Sequence, residues 1–189
     1  VNDEKEFFHC FATSEHGNIF DFVMKTQNLK FGEAVKHLAQ LAGMQPYMFS
    51  KQDEEREKKW IEYLSIYDQY VDFYHNELLK NEAYSNARDY LKSRSLSKEE
   101  VKKFKIGFIE KNPGFFDKLK NEFSEETLVE SGLFYLDEKK KIFVERFRGR
   151  LIFPINNISG QPIALGGRII EESDYLAKYI NSPETIFFK

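Results

Sequence analysis

The densest chemistry of this 189-residue chain lies late, in Arg146-Phe147-Arg148-Gly149-Arg150-Leu151-Ile152-Phe153-Pro154-Ile155 and then Ile163-Ala164-Leu165-Gly166-Gly167-Arg168. In an extended segment residues two apart share a face, so Arg146, Arg148 and Arg150 are expected on one side with Phe147 turned away. Three guanidiniums in a row suit phosphates. Gly166-Gly167 removes two side chains just before Arg168, so another backbone or a nucleic-acid strand can come close. Lys178-Tyr179-Ile180-Asn181-Ser182-Pro183-Glu184-Thr185 adds a cation, a ring on which a base can stack and an amide that can bond a base or a phosphate. The charge distribution agrees. Residues 1–138 carry 19 basic and 26 acidic side chains, whereas residues 139–178 carry 8 against 4. A local cationic excess is what a polyanion-binding face needs, because phosphate neutralisation releases counterions. A strand edge guarded by Lys and Arg against aggregation has the same composition, and the residues alone leave both readings open.

Other chemistries fare worse. No Gly-x-x-x-x-Gly-Lys-Ser/Thr pattern is present, so Gly166-Gly167-Arg168 is not a phosphate-binding P-loop. Cys10 is the only cysteine, which excludes an internal disulfide framework, and no motif makes it a protease nucleophile. The acidic runs Asp53-Glu54-Glu55 and Glu171-Glu172 read as solvated faces, and the stripe Tyr63, Tyr67, Tyr70, Tyr74 reads as core or inter-helix packing. With 28 Lys+Arg, 31 Asp+Glu and 41% apolar residues, the composition is that of a soluble globular chain. No stretch reaches the roughly 18 apolar residues of a membrane span, and Val1-Asn2-Asp3-Glu4-Lys5-Glu6 lacks the order of a secretory signal. A cytoplasmic protein without membrane contact is expected. The first residue is not Met, which suggests a piece of something longer.

The elements that must position these side chains change character along the chain. Residues 1–12 read as one strand, followed by a turn at Gly17-Asn18 and two amphipathic helices closed by Gly43. Residues 44–56 lose periodicity, carry Pro46 and end in a charge run, as a linker does. From Glu57 to Lys80 apolar positions repeat at three and four, giving a long helix. Helices follow over Ala83–Lys92, after the capping box Ser97-Lys98-Glu99-Glu100, over Phe115–Asn121 and after Ser124, with a strand at Lys105–Glu110. Beyond Gly132 the period changes to two, and Leu133–Leu136, Ile142–Val144, Arg150–Ile155 and Pro162–Ile170 read as strands with a turn at Asn156–Gly160. Helices first and then a mostly antiparallel sheet make an α+β chain in three parts: 1–43, 44–56 and 57–189.

At the basic residues the sequence resembles the bacterial DnaG-type DNA primases. The pattern Arg146-Phe147-Arg148-x-Arg150-Leu151-x-Phe153-Pro154-Ile155, then Gly166-Gly167-Arg168, then Lys178-Tyr179-x-Asn181-Ser182-Pro183-Glu184-Thr185 matches that family in order and spacing. Ala87-Arg88-Asp89-Tyr90-Leu91 with Arg94, and Phe104-x-Ile106-Gly107-Phe108, look like the helical front of its polymerase domain. Phe7–Phe11 with His9-Cys10, Ile19–Phe22 and Phe31-x-Glu33-Ala34-Val35 look like the back half of its zinc-binding domain. The resemblance covers nearly the whole chain. It implies a zinc-domain half over 1–43, a linker, and the N-terminal subdomain of the RNA polymerase domain over 57–189.

The family makes short RNA primers on single-stranded DNA at the replication fork, from ribonucleotides, with the replicative helicase as partner through a C-terminal domain. The resemblance implies a template groove using Arg94, Phe115, Arg146, Arg148, Arg168, Lys178, Tyr179, Asn181 and Lys189 in a monomer. It also implies that Cys10 is a remnant zinc ligand. Thr13 stands where the partner cysteine is expected, and a hydroxyl binds zinc poorly. The Glu-Gly-x-x-Asp and Asp-x-Asp motifs that hold Mg2+ or Mn2+ in the family's Toprim subdomain do not occur. No catalytic residue is therefore assigned, and the fragment is expected to guide template without synthesis. A non-catalytic single-strand-binding or partner-docking module is the alternative.

Overall fold

The computed structural model describes residues 1–45, 50–171, 173–185 and 188. Two compact units divide the chain, Val1–Lys58 with Asn156–Gln161, and Lys59–Ile155 with Pro162–Lys189.

In the first unit β1 (Phe8–His9) pairs antiparallel with β2 (His16–Gly17), followed by α1 (Ile19–Gln27) and α2 (Phe31–Leu41). Asn18 caps α1, its side chain accepting from the Phe20 and Asp21 amides while Asp21 accepts from the Asn18 amide. Asn28 ends the helix in the left-handed region, at φ 53°. The strand expected over 1–12 is shorter than its aromatic run suggested. Residues 2–7 close on themselves through an isolated bridge between Asn2 and Phe7, so only two residues extend along β2.

The long helix α3 (Lys51–Lys80) begins six residues before the expected start. Ser50 explains this: its hydroxyl accepts from the Asp53 amide, and the Asp53 carboxylate accepts from the Ser50 amide. The charge run at 53–56 is thus a first helical turn with acids at its N-terminus, where the helix dipole favours them. Pro46 lies outside the described residues.

In the second unit α3 buries Tyr63, Ile66, Tyr67, Tyr70, Val71, Tyr74 and Leu78, one stripe at helical spacing. This confirms the tyrosines as core. Their hydroxyls are used as well: Tyr67 donates to the Ser131 carbonyl (2.9 Å) and Tyr74 to Glu145 (2.7 Å). After a short 3-10 turn come α4 (Ser85–Ser93) and α5 (Lys98–Lys103), the latter started by the expected Ser97–Glu100 box. Next are β3 (Gly107–Ile109), α6 (Phe116–Leu119), α7 (Glu125–Glu130), β4 (Phe134–Asp137), β5 (Ile142–Glu145), β6 (Arg150–Asn156), β7 (Pro162–Ile169) and β8 (Tyr179–Asn181). The main sheet has the order β3-β6-β7-β8, and β4 and β5 form a separate antiparallel hairpin. The fold is α+β, as expected. Among the described residues no helix is long and apolar enough to cross a membrane.

Glu145 ties this core together. Its two carboxylate oxygens accept from the Tyr74 hydroxyl and from the Phe115 amide (2.9 Å), joining β5 to α3 and to the start of α6. Burial lifts its pKa above the usual carboxylate value, opposed by those hydrogen bonds.

Candidate nucleic-acid interface

The arginine-rich stretch is not extended. Residues 146–149 form the turn between β5 and β6, and Gly149 takes φ 71°, a left-handed conformation that a side chain would strain. The three arginines therefore part company. Arg146 is half-buried, its Nε donating to the Gly132 carbonyl (2.8 Å), while Arg148 is exposed and donates to the Tyr135 hydroxyl (2.8 Å). Both guanidinium carbons lie near the Tyr135 ring, at 5.6 and 5.9 Å from its centroid. Arg150, the first residue of β6, is only 5% exposed and donates to the Lys178 carbonyl (3.4 Å). Burial, then the charge of Arg148, pulls its pKa below the usual arginine value.

Phe147 points inward as expected, but it claims the space left by one of the glycines. A Cβ on Gly167 would sit 2.5 Å from the Phe147 ring, so that glycine serves packing. Gly166 is less crowded: a Cβ there would make ordinary contacts with Asn181 Oδ1 at 3.6 Å and the Phe153 carbonyl oxygen at 3.9 Å.

A second cluster assembles around Arg168. β7 and β8 pair with Arg168 opposite Tyr179 and Gly166 opposite Asn181, which places these four on one face of the sheet. The guanidinium of Arg168 lies 5.1 Å from the Tyr179 centroid and 5.2 Å from that of Tyr90 on α4. Arg94, the C-cap of α4, lies 5.3 Å from the same Tyr90 ring. Each is a cation–π distance. Tyr179 is 58% exposed, with ring surface to spare. Arg168 Nε is buried and has no hydrogen-bond partner. Among the described residues none of Arg94, Arg168 and Lys178 forms an ion pair with a carboxylate.

Two clefts accompany these clusters. One of about 770 Å³ is lined by Lys111, Tyr135, Arg146, Arg148 and Arg150 among others; one of about 360 Å³ by Tyr90, Arg94, Arg168 and Lys178 together with the acid Asp174, among others. They share Ile169, Ile170, Glu171, Ser173 and Leu176, so the two clefts adjoin. Glu171 is exposed and pairs with Lys111 (2.9 Å), which fits the reading of this acid as a solvated face; Glu172 lies outside the described residues.

Of the residues expected in the groove, Arg94, Arg168, Lys178, Tyr179 and Asn181 thus fall around one cleft and strand pair, and Arg146 and Arg148 around the adjoining cleft. Phe115 does not join them. It is 6% exposed, with its ring stacked on Phe73 at 4.2 Å and edged by Tyr70 and Tyr74, so no face is free for a base. Its place at the start of α6, against the aromatic stripe of α3, makes it core. Lys189 lies outside the described residues. The sequence reading missed Tyr90 and Tyr135 as parts of a site, although Tyr90 and Arg94 stand at the i, i+4 spacing that brings helical side chains together.

Near β1 and β2, the Thr13 side chain and amide and the Ala12 amide hydrogen-bond to Cys10 and pull its thiol pKa below the usual value. These residues do not make a zinc site by themselves. Cys10 is one soft donor beside a hydroxyl, and among the described residues no three His, Cys, Asp or Glu come together as metal ligands.

Comparison with known proteins shows the family. The family model for the DNA primase catalytic core, N-terminal domain, matches residues 73–189, and the model for the CHC2 zinc finger matches residues 1–55. The DNA primase of Haemophilus influenzae is 34% identical over 200 residues, covering 100% of this chain and 32% of that protein; that of Salmonella typhimurium is 36% identical over 194 residues with the same coverage. The chain therefore spans about a third of the length of these curated relatives. Among solved structures, the zinc-binding and RNA polymerase domains of the Aquifex aeolicus primase match with a TM-score of 0.59 at 29% identity, over 100% of this chain and 44% of that one. A DnaG primase catalytic domain bound to single-stranded DNA matches with a TM-score of 0.59 at 31% identity, over 70% of this chain and 41% of that one. The chain belongs to the DnaG-type DNA primase family.

Proposed function

We propose that this chain is the template-guiding part of a replicative primase, a DNA-dependent RNA polymerase that lays RNA primers on single-stranded DNA. Arg94, Arg168 and Lys178 contact template phosphates, Tyr179 offers a ring to a base, and Asn181 stands opposite Gly166, where no side chain intervenes. Arg146 and Arg148 continue the cationic surface along the adjoining cleft. The observation that carries this reading is Arg168 itself. Its guanidinium is held beside two tyrosine rings, its Nε is buried without an acceptor, and among the described residues no carboxylate forms an ion pair with it. Desolvated cationic donors without a partner are costly, and a phosphate supplies both the charge and the acceptors they lack. The related catalytic domain bound to single-stranded DNA supports the choice of polyanion.

Nucleotidyl transfer requires carboxylates that hold divalent ions. Glu145, the buried carboxylate, is engaged by Tyr74 and Phe115, and no described acidic cluster fits such ions. In this proposal the metal-dependent step, the ribonucleotides and the helicase belong to other parts of the longer protein, and this chain alone does not synthesise. The test is single-stranded DNA binding measured against salt. Arg168→Ala and Lys178→Ala should each flatten the log–log slope by about 0.7, the loss of one phosphate contact. A slope identical to that of the unaltered chain would remove the residue from the groove.

A further inference from the structure

Tyr90 stands inside the cationic cluster, yet nothing in the arginine-rich motifs points to it. Its ring is within cation–π reach of two guanidiniums that come from distant parts of the chain, Arg94 at the end of α4 and Arg168 on β7. We propose that Tyr90 is a positioning residue: its ring fixes the separation and orientation of Arg94 and Arg168, presenting them as a pair to the phosphates of one bound strand. This inference rests on the template-groove reading above and deepens it.

Three observations carry it. The first is that the two cations share one ring, so their guanidinium carbons cannot be further apart than the two centroid distances, 5.3 and 5.2 Å, placed end to end. Second, little else holds them. Among the described residues Arg94 has no side-chain hydrogen bond or ion pair, and Arg168 has only the ring of Tyr179 besides, on a three-residue strand. A long side chain left free loses rotamer entropy when it binds, and a ring that orders it beforehand removes part of that cost. Third, Tyr90 is itself anchored. It packs against the cluster of Leu78, Tyr84, Ala87, Leu91 and Leu151, and stands one helical turn before Arg94. The Tyr90 hydroxyl is buried without a partner, so the ring face, and not the phenol, does the positioning.

The experiment measures single-stranded DNA binding against salt in the intact chain, with Tyr90→Leu, Tyr90→Met, Tyr90→Phe and Arg168→Ala, and a thermal melt of each. Leucine and methionine fill apolar space without a quadrupole, and methionine adapts to irregular cores if leucine fails to fold. Tyr90→Leu or Tyr90→Met should weaken binding about tenfold at low salt. The salt slope should flatten by at least about 0.7, because the paired contacts are lost or loosened together. Tyr90→Phe should keep the original slope. Partial unfolding would lower apparent affinity by a common factor without removing phosphate contacts from the molecules that bind, so the slope separates positioning from stability. If Arg168→Ala flattens the slope and the Tyr90 variants do not, the positioning role falls while the groove stands. If Arg168→Ala also leaves it unchanged, the groove reading falls and takes this inference with it. A Tyr90→Phe slope as flat as that of Tyr90→Leu would assign the effect to the hydroxyl and overturn the proposal.

Discussion

Two tyrosines in this molecule are each shared by two arginines, and the pairs differ in how their donors are spent. Tyr135 serves Arg146 and Arg148, neighbours on one turn. There the polar groups are answered inside the protein: Arg146 Nε by the Gly132 carbonyl, Arg148 by the Tyr135 hydroxyl itself. Tyr90 serves Arg94 and Arg168, brought together only by folding, and there Arg168 Nε and the Tyr90 hydroxyl are buried with nothing to bond. Cation and ring in contact are thus not by themselves a sign of ligand binding. In the proposed groove the unanswered Arg168 donor supports a ligand, whereas the Tyr70 hydroxyl, equally unanswered, lies inside the core and does not.

The comparison can be pressed hardest with a ring that belongs to neither pair. Phe115 is packed on both sides, so Phe115→Ala should cost about 3–5 kcal/mol of stability. That would appear as a lowered melting temperature with the salt slope of DNA binding intact. A loss of about 1–3 kcal/mol of single-strand affinity at a temperature where the variant is fully folded would mean that the ring reaches the template after all.

Tyr179 should behave in the opposite way. Tyr179→Ala should leave the melt nearly unchanged and cost about 1–3 kcal/mol of single-strand affinity, the worth of one stacked base. Should affinity hold and the melt collapse, Tyr179 would have to be counted with the satisfied residues.

The smallest effect concerns Glu145, directly before the satisfied pair. Burial raises its pKa, so the folded chain keeps this proton to higher pH than the unfolded chain does. The stability from this group is therefore complete below the ordinary carboxyl value of 4.5 and declines as pH rises through the elevated one. In Glu145→Gln that decline is absent. Melting temperatures of the two proteins across this acid range should diverge in slope, and parallel curves would contradict the assignment.

Much of the fold could be read from local chemistry. The Ser97–Glu100 box and the α3 tyrosine stripe are patterns of adjacent residues, and both fold as their spacing dictates. Failures came where one residue outweighs a pattern. Arg-x-Arg-x-Arg alternates like a strand, but Gly149 at positive φ makes part of it a turn, and Ser50 starts α3 ahead of its apolar repeat. The strand β8 is too short to show alternation. The candidate site was legible as a set of cations and rings but not as an arrangement. Nothing near Phe115 in sequence announces Phe73, and nothing near Arg168 announces Tyr90.

The outermost strand of the four-stranded sheet has one more consequence. β8 is three residues long, and Ser182 directly after it fastens it down, its buried hydroxyl accepting from the Leu165 amide (2.9 Å) and its own amide bonding the Leu165 carbonyl (2.8 Å). Pro183 follows and has no amide hydrogen to continue a ladder. A sheet margin so abruptly stopped is a poor template for another extended chain. The shortness of the strand and the proline after it thus lower the tendency of a border that carries Lys178 and Tyr179 to pair edge to edge with another chain.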